Sequence, residues 1–565
     1  MSSKSWQQLC ADRKKKQVDS IPKEWIITVS TDLKQSVIDV PAQCGLLSPL
    51  EIEITETVDL DILLDKLSTG IWTSAQVTTA FYKRAIIAQQ LTNCLTEIFI
   101  ERALARAHEL DDYFQKNGKP IGPLHGLPIS LKDQFCIKGL ETIMGYASWI
   151  GPVSEKSCVL VEILYDLGAV PFVRTNVPQT LIWGETYNHV FGRTTNPYNR
   201  YMTPGGSSGG EGALLALKGS PLGVGTDIGG SVRIPGAMCG LYTLRPSYER
   251  LPYANARNAQ EGQESISSTL GPMANSLSAV KRFTKSIIDA KPWKKDPLVV
   301  RKEWSSREYA LEEHGNGVGM CFAVLWDNGV VKPHPPVRRA LEIVKQSLED
   351  AGHKVIDWEP HRHLEIYKNT ESIFAADAGQ DYRVECAKSG EPLIQTMSPD
   401  KDAHPYNLFE SYAKTIIGKP ELLSAYDLWQ LHKEKRVLRK SHLDHWEATV
   451  ARTGTGRPVD AIIAPVAPYT AVPHGCNSDA FYTTLYNTLD YACAGFPVTF
   501  ADKDLDKVQP PHEFRNHEDE AVYKLYDPEL FHGLPVGLQL VGRTQEEEAV
   551  IAMTEIVDRV LGARK

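Results

Sequence analysis

The chain has 565 residues, 42% of them hydrophobic and 23% charged, with a formal net charge of −9 at neutral pH. This is globular composition with apolar content for a large core, and the acidic balance argues against nucleic acid as a partner. No apolar run reaches the length of a membrane span, and the one basic cluster, Arg13-Lys14-Lys15-Lys16, is short and reads as a solvated helix face.

Residues 1–50 read as an N-terminal helical arm. Gln7 to Val18 predicts a short helix that breaks before Pro22, and Trp25, Ile26 and Ile27 are placed to pin the arm to the body. The first sixteen residues are polar and lack a hydrophobic signal region, and the closing Ala563-Arg564-Lys565 is not a peroxisomal address. Ten scattered cysteines with no Cys-x-x-Cys pair predict free thiols in a reducing compartment and no structural zinc. The expectation is a cytoplasmic protein.

Beyond the arm, Leu60, Leu63, Leu64 and Leu67 recur at helical spacing before Gly70, and Thr73 or Ser74 can cap a following helix. A third scaffold helix is predicted over Glu101 to Tyr113. Leu127 to Leu131 reads as a short buried strand with Lys132 at its end. Lysine is ordinarily solvated, so this one is either ion-paired, to Asp133 or another carboxylate, or functional. Helix Ser157 to Leu167, strand Val170 to Arg174, helix Glu211 to Lys218 and strand Leu222 to Gly225 follow. That alternation predicts a largely parallel sheet. In the second half, strands are predicted at 319–326, 355–358, 459–465 and 534–541, and helices at 336–351, 411–414, 428–447 and 546–561, with a surface loop over 502–528.

The chemistry concentrates in Gly205 to Arg233. Gly205-Gly206-Ser207-Ser208-Gly209-Gly210-Glu211-Gly212 opens this stretch and Gly225-Thr226-Asp227-Ile228-Gly229-Gly230-Ser231-Val232-Arg233 closes it. Glycine lets a ligand approach the main chain, whose free N–H groups can then face an anion or oxyanion. A flexible linker is excluded by the apolar segment between the two runs. A phosphate-binding loop lacks its Gly-Lys-[Ser/Thr], and the match to a dinucleotide fingerprint is poor. A nucleophile elbow, Gly-x-Ser-x-Gly centred on Ser207, does match, but leaves the second run and Lys132 unused. The reading that uses all three is a serine hydrolase whose base is a lysine. Burial favours the neutral amine, and one serine can relay a proton to it from the other. Asp227 and Arg233 flank the turn, as braces or as a plain ion pair.

These segments resemble the amidase signature family, and within it the fungal acetamidase and general amidase group. The resemblance is carried by Gly126-Leu127-Pro128-Ile129-Ser130-Leu131-Lys132-Asp133, both glycine runs, Phe191 to Pro197, Asp460 to Pro465 and Leu534 to Gly542, and it spans the chain from about residue 50. It implies a single large α/β domain over 51–565, a mixed, twisted β-sheet core covered by helices, with the catalytic core in about 120–250. It implies hydrolysis of a carboxylic acid amide through an acyl-enzyme, with no cofactor or metal and a small-molecule substrate as partner. Carbamate or ester hydrolysis at the same site is the alternative, and an amidotransferase subunit a more distant one. Carried over by position, Ser231 is the nucleophile, Lys132 the base, and Ser207 the bridge, preceded in relatives by a cis peptide bond. The N–H groups of Ile228, Gly229, Gly230 and Ser231 form the oxyanion hole. Leu181 falls on the substrate-gating segment and, with Ile182 and Trp183, is expected to line an apolar acyl pocket. The sequence leaves the oligomeric state open, with a homodimer the option the resemblance suggests.

Overall fold

A computed structural model describes residues 4–395, 397, 421–478 and 481–563; the helix expected at Ser411 to Lys414 lies outside them. The helices start where the sequence caps them. Thr73 accepts from the Gln76 N–H while the Gln76 side chain accepts from the Thr73 N–H, so two otherwise orphaned donors open Ser74–Thr92 with partners. Asp59 and Ser424 cap Leu60–Ser68 and Ala425–Ala448 in the same spirit. Among the described residues no helix is long and apolar enough to cross a membrane.

The strands are β1 (Leu95–Ile98), β2 (Pro128–Lys132), β3 (Val170–Thr175), β4 (Tyr187–Asn188), β5 (Gly192–Arg193), β6 (Gly223–Asp227), β7 (Tyr242–Arg245), β8 (Thr269–Ala274), β9 (Cys321–Val324), β10 (Lys354–Asp357), β11 (Ala461–Pro465), β12 (Cys493–Phe500) and β13 (Pro535–Val541). β4 and β5 pair with each other, and the rest form one eleven-stranded sheet in the order β1-β3-β2-β6-β8-β7-β12-β13-β11-β9-β10. This single α/β body has the mixed sheet expected. The largely parallel pairing inferred from helix–strand alternation is not what forms. Among the described residues parallel pairs occur only at β3–β2–β6 and β11–β9–β10, and antiparallel pairs make up the middle. Between β7 and β8 no helix intervenes, and there the chain returns antiparallel instead of crossing over.

Three further expectations are corrected. Arg13 is not solvated; it is 4% exposed, donates from Nε to Glu141 at 2.9 Å and pairs with Glu97, so the arm helix Trp6–Asp19 is fastened by a buried charge. Trp25 and Ile27 pack on the core as expected, whereas Ile26 points outward. The segment over 502–528 is not all loop, because Asn516 caps a helix at His517–Leu525.

Candidate active site

Lys132 ends β2, every residue of which is buried. Its Nζ lies 2.7 Å from Ser207 Oγ and 2.7 Å from Thr226 Oγ1, and among the described residues it pairs with no carboxylate. The hydrogens around it can be assigned. The Arg257 carbonyl accepts from Gln134 Nε2 at 3.0 Å, which turns Gln134 Oε1 toward Thr226. Thr226 gives its single proton to that oxygen at 2.5 Å, so its lone pair must accept from Lys132. One amine hydrogen is thereby committed to Thr226, and a neutral amine has its lone pair left for the Ser207 hydroxyl. Burial pushes the Lys132 amine down to about 7, against the opposing pull of Asp227 and then Glu211.

Ser207 follows a cis peptide bond from Gly206 and precedes the helix Gly209–Ala216. Ser231 sits in the turn after β6, and its carbonyl accepts from the Ser208 N–H at 3.2 Å. The two segments are thus adjoined, although the Ser207 and Ser231 hydroxyls make no hydrogen bond to each other. Asp227 holds the turn. It takes Nε and Nη2 of Arg233, both at 3.0 Å, together with the N–H groups of Gly230 at 2.8 Å and Val232 at 3.2 Å. Arg233 in turn reaches Gln539, Asn487 and the Thr483 carbonyl. Burial pushes the Asp227 carboxyl up, but Arg233 and Asn487 outweigh it and the net shift is downward. Gly230 has φ of +131°, and a Cβ there would stand 2.3 Å from Thr483 Oγ1, so only glycine fits. Its N–H is spent on Asp227. Those of Ile228, Gly229 and Ser231 donate to no acceptor among the described residues.

A cavity of about 60 Å³ opens over Ser231. Leu181, Ile182 and Trp183 form part of its wall with Ile228, Gly229 and Ser231, while Ser207 and Gly230 are not on that wall. Thr180 and Leu181 both have positive φ, +75° and +65°, a rare conformation for side-chain-bearing residues. Phe374 and Tyr382, from the helices His363–Phe374 and Gln380–Ala387, close another side with Asn477 and Thr484.

The family model described as Amidase matches residues 76–551. This chain belongs to the amidase family. Among its relatives are acetamidases of Aspergillus oryzae, 43% identical over 100% of both chains, and of Emericella nidulans, 42% identical over 99% of this chain and 98% of that one. The solved structure of a fatty acid amide hydrolase superposes with a TM-score of 0.90 at 32% identity, covering 99% of this chain and 95% of the other. In this amidase, sequence reasoning missed Thr226, Gln134, Phe374, Tyr382, Asn477 and Thr484 as site residues. Thr226 and Gln134 lie within two residues of named groups, so strand alternation could have found them. The others come from remote segments and carry no local signal.

Proposed function

We propose that this amidase cleaves small carboxylic acid amides to the acid and ammonia or an amine through an acyl-enzyme on Ser231. The neutral Lys132 amine takes the proton of Ser207, which takes that of Ser231 as its Oγ attacks the carbonyl carbon. The developing oxyanion is met by the free N–H groups of Ile228, Gly229 and Ser231. Gly230 shapes the turn in place of donating. As the C–N bond breaks, the proton returns along the same relay to the leaving nitrogen, and water then attacks the ester with the same base. The hydroxyl–hydroxyl contact that the relay needs closes on substrate binding. We assign residues 51–565 to the catalytic body, with about 120–250 supplying the reacting groups, and 1–50 to an arm.

The observation that carries this reading is a wholly buried lysine bonded to a serine and, among the described residues, to no carboxylate. The small cavity and the acetamidase relatives favour short aliphatic amides such as acetamide. Ammonia release from acetamide by Ser231→Ala and by Lys132→Ala should each fall on the order of 10³-fold or more. Full activity in either variant would overturn the assignment. Matched ester and carbamate substrates, compared by kcat/KM, decide which acyl derivative the site prefers.

A further inference from the structure

Glu211 is a buried carboxyl that the chemistry above does not use. It lies in the first turn of Gly209–Ala216 and is fully shielded from water. Its Oε2 is 2.6 Å from Ser130 Oγ and its Oε1 accepts from Thr175 Oγ1 at 3.0 Å; no cation pairs with it among the described residues. The sheet makes room for it. A Cβ on Gly223, which pairs with Ser130 across β2 and β6, would come within 2.1 Å of Glu211 Oε2. The hydroxyls that hold it belong to Lys132's own surroundings. Ser130 shares a face of β2 with Lys132, and Thr175 is the β3 partner of Lys132 in the parallel register.

A carboxylate sealed in without a cation is costly, and beside an amine it would favour the ammonium. The hydrogen-bond pattern accommodates the protonated acid instead. Oε2–H can donate to Ser130 Oγ, whose own hydrogen then turns to the Leu222 carbonyl 3.5 Å away, while Thr175 continues to donate to Oε1. We propose that Glu211 is a positioning residue for Lys132: at neutral pH its carboxyl carries the proton, and this uncharged acid lets the neighbouring amine stay uncharged too. The inference rests on Lys132 being the base of the proposed reaction. Moving the proton from ammonium to carboxylate gives amine and carboxylic acid with no change in total charge.

The shifts agree with the geometry. Burial raises the Glu211 carboxyl to about 8, opposed by the Ser130 and Thr175 hydrogen bonds and by Lys132. The other ionisable neighbours are committed elsewhere. Asp227, whose charge reaches Lys132 from the other face of β6, is tied to Arg233; Asp133 lies 3.5 Å from Arg174; and the Cys94 thiol, pushed up to about 12 by burial, stays protonated.

The test is proton linkage. A carboxyl protonated in the fold but ionised when unfolded makes the wild type lose stability as pH rises from about 4.5 to about 8. Glu211→Gln cannot titrate, so its folding equilibrium constant should gain on the wild type about tenfold per pH unit across that window. In the infrared difference spectrum at pH 7, wild type minus Glu211→Gln should show the carbonyl band of a protonated carboxyl. The acid limb of kcat/KM should stay within about 0.3 pH unit in the variant, because an ionised partner would instead have been holding the Lys132 pKa up. A flat stability difference, a lost carboxylate band or a large downward move of the limb would overturn the proposal. Should Glu211→Gln not fold, Lys132→Met gives a second reading. With the amine gone, the carboxyl band should titrate within about 0.3 pH unit of the wild type, because an uncharged amine exerts no pull on it; a band that persists a pH unit or more higher would mean that the amine is charged there, and would overturn the proposal. Undiminished activity in Lys132→Ala would refute the base assignment alone, leaving the infrared band to decide where the proton of Glu211 sits.

Discussion

Two buried charge sites meet on β6. Thr226 and Asp227 are consecutive, so their side chains leave opposite faces of the strand. Asp227 enters a compartment where every charge is answered: two Arg233 side-chain nitrogens, three main-chain N–H groups and Asn487 Nδ2 converge on one carboxylate. Thr226 enters a compartment where an amine and a carboxyl are kept company by hydroxyls and an amide, with no ion pair. The first arrangement fixes a shape. The second leaves protons free to relocate, which a base that must be neutral requires. Burial is the same in both, so it is the pairing that separates scaffold from chemistry.

The largest effect that tests this contrast is on the paired side. Arg233→Met should cost about 3–5 kcal/mol in urea unfolding, since it strands the Asp227 carboxylate in the interior. Adding Asp227→Asn should recover part of the loss. A single variant as stable as wild type would erase the distinction. The unpaired side should answer with the opposite sign. The Lys132 amine is neutral in the fold above about 7 and charged in the unfolded chain up to its ordinary 10.5. The fold therefore bears the full cost of this group below pH 7, and stability rises by about 1.4 kcal/mol per pH unit between the two values. In a Glu211→Gln background, where the amine titrates alone, Lys132→Met should be more stable than its parent below pH 7 and lose that advantage through the window. An advantage that does not change with pH would mean the amine keeps its proton in the fold.

How much of this was legible beforehand follows the same division. Lys132, Ser207, Ser231 and the flanking Asp227 and Arg233 stood out because free main-chain donors need glycine and a buried lysine needs a reason. The walls did not, because Phe374 and Tyr382 sit in helices whose apolar positions look like any core. β8 and β12 carry no clear strand signal, since Gly271-Pro272 and Gly495-Phe496-Pro497 interrupt the apolar pattern. In the sheet, β8 is buried throughout and Pro497 falls at a register shift, where proline is tolerated. Arg13 was misplaced because its basic neighbours suggested a solvated face, while the acids that bury it, Glu97 and Glu141, lie far along the chain.

The smallest expected effect gives the sharpest comparison, because it changes one polar side chain on each side of β6. Thr226→Val keeps the volume and removes the hydroxyl between Lys132 and Gln134. The amine loses an acceptor, and a bond from an ammonium is stronger than one from an amine, so the charged form suffers more. The acid limb of kcat/KM should move to lower pH while the plateau falls about tenfold, the lone pair being no longer aimed at Ser207. Asn487→Leu is its counterpart: it removes a donor to Asp227 at 2.8 Å and an acceptor of Arg233 at 2.6 Å. It should cost about 1–3 kcal/mol of stability and leave the limb in place. If instead Asn487→Leu moves the limb, or Thr226→Val costs only stability, the two compartments are one electrostatic unit, and the pairing of Asp227 with Arg233 is part of what keeps the Lys132 amine uncharged.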